Sequence, residues 1–507
     1  MLTISLFIEL IRTRPRLIFW LAVSAQALAW TLVPWLFYVA PPGDVADVIA
    51  TGHGFPFGSD PGPPLAYWAA EVAFRIGGLL GVYALSQLCV VVTFCAIFSL
   101  GRLIAGPHHA VLAILLMAGI TALGAPTPDF GPAILSMPVW ALALLHFYRA
   151  AGLGQPGAWY ALAIDIGLLG LISYQGLMLA ALLPLFVLVT GRVTTIGRTM
   201  HPLIATVIAV LILFPHLIWI DQAGGVKLPA FDALASREAL AGAVADWGRL
   251  VAILALSHAG LLIMIAIATN ATRVRRAQAV IIHRAAVDPF ARHLVYFFAL
   301  VPALLVTFAA VLSGQTAPVV LSPAFVLSGL ALVVAAGENI ALHHQRLLAT
   351  VWALLLLLPP LIAAFAVLIT PWTGIELRIT QPAPEMARFL AEGFERRTGR
   401  PLAIVGGQTR LASLVAMFAP SRPSIFIDDD PARPVKRSDI AESGAIILWP
   451  ATDAAGTPPP AIKAQFPELV PEVPRVFGRT IEGRLTPFRI GWAMLRPRAP
   501  DPETPAQ

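Results

Sequence analysis

Charge is what this chain has least of. Asp, Glu, Lys and Arg make up 12% of its 507 residues, where an ordinary soluble domain carries about 25%. Apolar residues make up 58%, and the mean hydropathy is +0.79. That deficit excludes a string of water-soluble domains and points to a polytopic membrane protein. Cysteine is almost missing too. Cys89 and Cys95 are the only two, both inside one apolar run. At that spacing they lie on different faces of a helix, which excludes a disulfide or a cysteine metal site, so they read as small apolar residues. There is no internal repeat. There is also no basic face of the kind a nucleic-acid binder collects. The formal net charge is +6, but the basic residues sit in short clusters between apolar runs, the pattern of the positive-inside rule. Nor is the N-terminus a cleavable signal: Arg12, Arg14 and Arg16 precede an apolar run of more than 20 residues. It reads as a signal anchor that stays in the membrane.

A hydrocarbon core takes about 20 apolar residues per helix. Runs of that kind occupy 17–38, 79–99, 108–124, 131–148, 158–172, 175–191, 202–221, 247–270, 294–313, 318–336 and 348–370. The 158–191 region is either one long tilted helix or two tight passes. Arg149 precedes it and Arg192 and Arg198 follow it, so with both flanks inside the chain crosses twice, turning near Ser173-Tyr174-Gln175-Gly176. That gives eleven spans, with the N-terminus in and the C-terminus out. The loop holding Arg273, Arg275, Arg276, Arg284 and Arg292 is the strongest inside marker. Arg102, His343, His344 and Arg346 agree with it.

From about residue 371 the long apolar runs stop and Pro and charge rise. Residues 384–396 form an amphipathic pattern with Met386, Phe389, Leu390 and Phe394 on one side. Strands are expected at 401–407, 424–428 and 445–449, with a helix over 409–418; this alternation predicts a small α/β domain. The expected organisation is a membrane domain over 1–375, an extracytoplasmic α/β domain over 376–495 and a disordered Pro-rich tail over 496–507.

In so uncharged a chain, the placement of the acids is informative. Gly43-Asp44-Val45-Ala46-Asp47 follows the first apolar run, and Asp60-Pro61-Gly62-Pro63-Pro64-Leu65 comes soon after. The topology puts Asp44, Asp47, Asp60, Asp129, Tyr174 and Asp221 on the outer side, opposite the arginines. Carboxylates beside a membrane carry a solvation cost unless they face water or a partner. The pattern points to an active site at the outer face. Asp165 falls inside an apolar run, which marks it as a functional candidate by default. Glu338 falls near the inner side.

These motifs resemble those of the GT-C class of polyprenyl-phosphate-sugar glycosyltransferases, the bacterial branch related to protein mannosyltransferases and aminoarabinose transferases. The resemblance rests on the acidic first-loop motif at Asp44, the Asp-x-Pro-Pro-Leu-like segment from Asp60, Thr127-Pro128-Asp129, and Phe214-Pro215-His216-Leu217-Ile218-Trp219. It implies a polytopic α-helical GT-C-like fold whose 1–375 domain is catalytic. The donor would be a polyprenyl-phosphate-linked sugar and the acceptor a lipid or glycan, in the bacterial inner membrane. Membrane lipids would be partners, and nucleic acid would not. The resemblance makes Asp44 the general base of an inverting transfer, a role typically worth about 10²–10⁴-fold. Asp47, Asp60, Asp129, Tyr174, Gln175 and His216 would handle the acceptor or the donor phosphate.

Several positions depart from the family pattern. Relatives often have Asp-Glu where this chain has Asp44-Val45; Asp47 either stands in for the Glu or is a second solvated acid. Some relatives hold a divalent metal with a Glu and a His. His53 is the candidate here, with no partner assigned and no other cofactor implied. Asp60 either positions the donor phosphate or caps a turn, and Asp129 stands at an N-cap-like place. Ser-Lys-Tyr in relatives becomes Ser173-Tyr174-Gln175, without the cation; Lys227 or Arg249 would have to supply the charge. His216 and Trp219 read either as an interfacial aromatic belt or as contacts to the lipid carrier. The rival readings are a lipid or solute transporter, which repeats and midplane charges would favour, and a non-catalytic scaffold that keeps the fold.

Overall fold

The computed structural model describes residues 13–59, 62–124, 129–223, 225, 237–269, 280–313, 321–427, 435–451, 453, 455–479 and 483–497. Asp60, Lys227, Arg273, Arg275, Arg276, the Thr127-Pro128 pair and most of the Pro-rich tail lie outside the described residues.

Over its described residues, each of the eleven apolar runs is mainly helix. Six helices are long and apolar enough to cross a membrane: Pro15–Phe37, Leu65–Ala105, Pro132–Gly152, His201–Gln222, Pro289–Ser313 and Gln345–Thr373. A seventh crossing is available if the pair Asp246–Ser257 and Ala259–Ala268, bent by 59°, counts as one broken span. Shorter apolar helices account for the rest: Pro107–Met117, Gly157–Ile172, Tyr174–Val189 and Pro323–Ala335. At about 1.5 Å rise per residue, these fall short of a hydrocarbon core of about 30 Å. The His201–Gln222 helix has a mean hydropathy of 2.6 in its most apolar window, yet only 17% of that window is buried. Such an apolar face needs a lipid solvent, because in water it would aggregate.

The Leu65–Ala105 helix begins well before the run 79–99 expected to span. The backbone leaves helical geometry at Gly77 and at Gly78, whose φ of 59° and ψ of −146° suit glycine alone. Glu71 and Arg75 precede this kink and break the hydropathy signal. The 158–191 region is two helices, Gly157–Ile172 and Tyr174–Val189, separated by the extended residue Ser173, whose Oγ accepts from the Gln175 amide at 3.2 Å. The turn is tight enough that a Cβ on Gly176 would meet the Leu169 carbonyl oxygen at 2.7 Å.

The described chain forms two compact units. One contains residues 1–33, 83–218 and 227–362; the other contains 34–82, 219–226 and 363–507. The first holds most of the helices and a two-stranded antiparallel pairing of β1 (Val280–His283) with β2 (Asn339–Leu342). β1 lies within the arginine-rich loop and β2 just before His343 and His344; neither four-residue strand gives a sequence signal.

The second unit holds a five-stranded sheet. Its strands are β3 (Ile404–Gly407), β4 (Ser424–Phe426), β5 (Ala445–Pro450), β6 (Arg475–Phe477) and β7 (Phe488–Leu495), in the order β4-β3-β5-β7-β6. The first three pair in parallel; β7 runs antiparallel to β5, and β6 antiparallel to β7. Ile404, Phe426, Ile447, Trp449, Phe466 and Ala493 build one core cluster. On the Ala383–Thr398 helix, Met386, Leu390 and Phe394 are fully buried, each contributing about 1.5–3 kcal/mol of apolar burial. Phe389 is half-buried, edge-on to Phe477 and Trp492. Gly399 ends the helix in the left-handed conformation. The Thr409–Phe418 helix packs against both the Ala383–Thr398 helix and a short helix, Val45–Gly52, from the first acidic loop. That last contact positions the site.

Candidate active site

The acidic loop is held at both ends. The Val39 and Ala40 amides each donate to the Ile379 carbonyl at 3.0 Å. Arg410 then reaches the backbone just before Asp44, with Nη1 donating to the Gly43 carbonyl at 2.7 Å and Nη2 to the Pro41 carbonyl at 3.1 Å. The same guanidinium holds the Arg378 carbonyl at 3.2 Å and Gln381 Oε1 at 3.1 Å. Only a planar, multi-donor fork can serve four acceptors in this way. Gly43 has a φ of 48°, which turns the chain into the helix.

Asp44 occupies the N-cap position of Val45–Gly52 but makes no capping bond with its carboxylate, and it is exposed. Three residues on, Asp47 lies 3.2 Å from Ser413 Oγ, whose single proton it shares with the Thr409 carbonyl at 2.8 Å. Ser413 is fully buried on the Thr409–Phe418 helix. Asp44 therefore stands between two anchors, Arg410 on the backbone before it and Ser413 on the carboxylate after it. Asp47 is half-buried and a partner of Ser413. At the far end of the short helix, a Cβ on Gly52 would come within 2.1 Å of the Tyr67 carbonyl oxygen.

Behind this helix lies an ionic cluster around one buried carboxylate. Glu71, 1% exposed, accepts from Arg75 Nε at 2.8 Å and from Arg422 Nη2 at 2.6 Å, and lies 3.1 Å from His53 Nδ1. Arg422 has a φ of 50°, a left-handed conformation that costs roughly 1–2 kcal/mol outside glycine. Burial pulls its pKa below the ordinary range, and the charge of Glu71 opposes that shift. His53 and Glu71 do come together, as a His–Glu metal site would require. Two guanidinium groups already hold that carboxylate, however, so the donor set does not fit a divalent cation. Among the described residues no group of three His, Cys, Asp or Glu side chains converges.

The described residues of the second acidic segment are tied by local contacts. Ser59 and Gly62 exchange backbone hydrogen bonds at 3.1 and 3.0 Å. Trp68 Nε1 donates to the Pro56 carbonyl at 2.8 Å. The indole of Trp219 lies against Gly58 so closely that a Cβ there would sit 2.3 Å from its ring. Trp219 is half-buried and packs on this loop.

In the other unit, Tyr174 meets His216. The hydroxyl lies 3.4 Å from Nε2, and the rings stack at 6.0 Å with 27° between planes. His216 is 2% exposed, which removes it from the lipid-facing belt. Gln175 is half-buried on the first turn after Ser173, where it supplies the amide that Ser173 caps. Asp129 is half-buried, and the N-cap residue of the next helix, Pro132–Phe147, is Gly131. Arg249, suggested as a substitute cation, is exposed on the Arg237–Ser257 helix. Asp165 has a partner, His146 Nδ1 at 2.6 Å, and forms a closed pair away from the acidic loop in sequence.

Sequence reasoning missed Arg410, Ser413, Glu71, Arg75 and Arg422. Glu71 and Arg75 did carry a signal, an i,i+4 acid–base pair beside an apolar run. The others act across more than 350 residues of chain, and nothing local marks them.

Comparison with known proteins supplies the frame. The crystal structure of ArnT from Cupriavidus metallidurans bound to undecaprenyl phosphate superposes with a TM-score of 0.58 at 14% identity, covering 94% of this chain and 97% of that one. This chain has the ArnT fold. The apo state of ArnT matches with a TM-score of 0.53 at 15% identity and the same coverage. Residues 61–219 match the family model for dolichyl-phosphate-mannose-protein mannosyltransferases. That stretch includes Asp129, Tyr174, Gln175 and His216, and Asp44 and Asp47 fall before it. No curated protein matches the chain. The resemblance to the GT-C class drawn from the loop motifs is borne out, and the ArnT-like fold carries the expected helical membrane part and C-terminal α/β sheet.

Proposed function

We propose that this protein is a membrane glycosyltransferase. It moves a monosaccharide from a polyprenyl-phosphate carrier to a lipid or surface-glycan acceptor at the outer face of the bacterial inner membrane. The observation that carries this reading is Asp44: an exposed carboxylate at the start of a short helix, with Arg410 gripping the backbone before it and Ser413 gripping Asp47 after it. A base must be held in place to be effective, because misplacement by about 1 Å costs on the order of 10²-fold.

In this mechanism an acceptor hydroxyl attacks the anomeric carbon from the side opposite the phosphate. Asp44 takes the hydroxyl proton as the new C–O bond forms. The bond from the anomeric carbon to the phosphate oxygen breaks, and polyprenyl phosphate leaves with the electron pair. The configuration inverts. Tyr174, paired with His216, offers a hydroxyl donor to the phosphate in place of the family's lysine. Asp60 and Asp129 are assigned to acceptor or phosphate handling, Gln175 to the same region as Tyr174, and the α/β domain, on the periplasmic side, to acceptor recognition. The ArnT structure with undecaprenyl phosphate supports the donor class, and the mannosyltransferase model supports transfer chemistry.

The test is mass spectrometry of envelope lipids and glycans from a strain lacking the gene, with and without the wild-type gene restored. A sugar-sized mass shift that disappears and returns supports transfer. An unchanged envelope profile would sink the reading and leave transport or a scaffold role.

A further inference from the structure

A cavity of about 620 Å³ lies between the end of the Tyr174–Val189 helix and the start of the Pro289–Ser313 helix. Its polarity is graded. At one end are Arg192, His293 and Tyr296; away from them the wall is Phe297, Leu300 and Val301. His293, Tyr296, Phe297 and Leu300 follow i, i+3, i+4, i+7 spacing and so share one helix face. Leu300 is 60% exposed and Val189 is 69% exposed, so the apolar end is open to the surroundings of the helices.

Arg192 is fixed before any ligand arrives. Its guanidinium lies 4.0 Å from the centroid of the Phe290 ring, and Nη1 donates to the Ala151 carbonyl at 3.1 Å. Among the described residues no carboxylate pairs with it. The nearby acid, Asp288, is occupied in capping the Phe290 and Ala291 amides at 2.9 and 3.2 Å. A half-buried arginine stacked on an aromatic ring, with donors to spare, is a phosphate-recognition group. Arg192, Arg198 and Arg292 all belong to this end of the helices, which the positive-inside rule places at the cytoplasmic leaflet, where anionic lipids concentrate.

We propose that this cavity is a binding site for an anionic glycerophospholipid. The phosphodiester sits on Arg192 with His293 and Tyr296 beside it, and one acyl chain runs along Phe297, Leu300 and Val301. None of its lining residues belongs to the acidic loop, and the proposal does not depend on the transfer reaction. Its ligand is a lipid of the inner leaflet.

Native mass spectrometry of the full-length protein, stripped of lipid in neutral detergent, tests this. Phosphatidylglycerol, phosphatidylcholine with the same acyl chains, and sn-glycerol 3-phosphate are added separately. Phosphatidylglycerol is expected to be retained in preference to phosphatidylcholine, and glycerol phosphate not to bind. Arg192→Gln should cut the phosphatidylglycerol adduct about 5-fold, the share one arginine near an anionic surface contributes. Leu300→Trp, an exposed position that tolerates bulk, should cut it by filling the chain groove. Equal retention of both lipids, or undiminished retention by Arg192→Gln, would overturn the proposal. Glycerol phosphate binding as well as the lipid would make this a plain anion site and overturn it too. If Arg192→Gln does not fold, Leu300→Trp decides: full retention there counts against the lipid.

Discussion

Glu71 and Arg422 are 351 residues apart in sequence and 2.6 Å apart in the fold. One belongs to the helix that returns from the acidic loop, the other to the C-terminal α/β region, and the carboxylate is buried. Breaking one side of such a pair leaves an uncompensated buried charge, at a cost of about 3–5 kcal/mol. Glu71→Gln should therefore lower the melting temperature of the purified protein markedly. The double variant Glu71→Gln, Arg422→Gln should be less destabilised than the sum of the two single changes. Additive losses in a thermal melt would show that the two residues are not coupled.

Arg410 acts through the backbone on either side of Pro42. Arg410→Ala should leave the fold in place but loosen the approach to Asp44. The turnover number should fall by about 10²-fold with little change in KM, the signature of lost positioning. Arg410→Lys should rescue little, since an ammonium cannot serve separated carbonyls as the fork does. Steady-state kinetics of both variants checks this; full activity in Arg410→Ala would remove the anchor from the account.

Tyr174 and His216 are expected to serve the donor. A hydrogen bond to a charged group is worth about 1.5–3 kcal/mol, so Tyr174→Phe should raise the donor KM by about 10-fold or more and leave the acceptor KM unchanged. His216→Ala should do the same more weakly, because His216 orients the hydroxyl. Titration of donor at fixed acceptor separates the two. A change confined to the acceptor would move this pair to the other substrate.

Gly52 leaves no room for a side chain, since the Tyr67 carbonyl oxygen would lie 2.1 Å from its Cβ. Gly52→Ala should shift the short helix away from its seat. The expected loss is about 1–3 kcal/mol of stability, with activity falling in parallel. Unchanged melting and activity would mean that the helix can move without consequence.

The membrane class and the helical runs were legible because hydropathy is a local property: the described residues of the eleven apolar runs are mainly helix. The Thr409–Phe418 helix and the parallel strands β3, β4 and β5 were legible for the same reason. β6 and β7 were not: β6 is a short strand that opens on Arg475, Arg489 breaks the apolar pattern of β7, and the 478–487 connection is longer than a tight hairpin turn. The start of Leu65–Ala105 was hidden by Glu71, Arg75 and the Gly77–Gly78 kink, which read as a loop. At the site, scarcity of charge pointed to Asp44 and Asp47. What holds them did not show, since Arg410 and Ser413 are ordinary residues until the fold brings them to the loop. Glu71 was passed over as one acid near an apolar run, although its burial makes it the best-connected carboxylate of the region.

The central claim is that the Asp44 carboxylate is the base. The direct measurement is complementation of a strain lacking the gene with Asp44→Asn at expression matched to wild type, read by mass spectrometry of the envelope lipids and glycans. Asparagine keeps the shape and removes the base, so the account predicts that the sugar-sized shift returns with wild type and falls by about 10²-fold or more with Asp44→Asn. Equal restoration by the two proteins would contradict it.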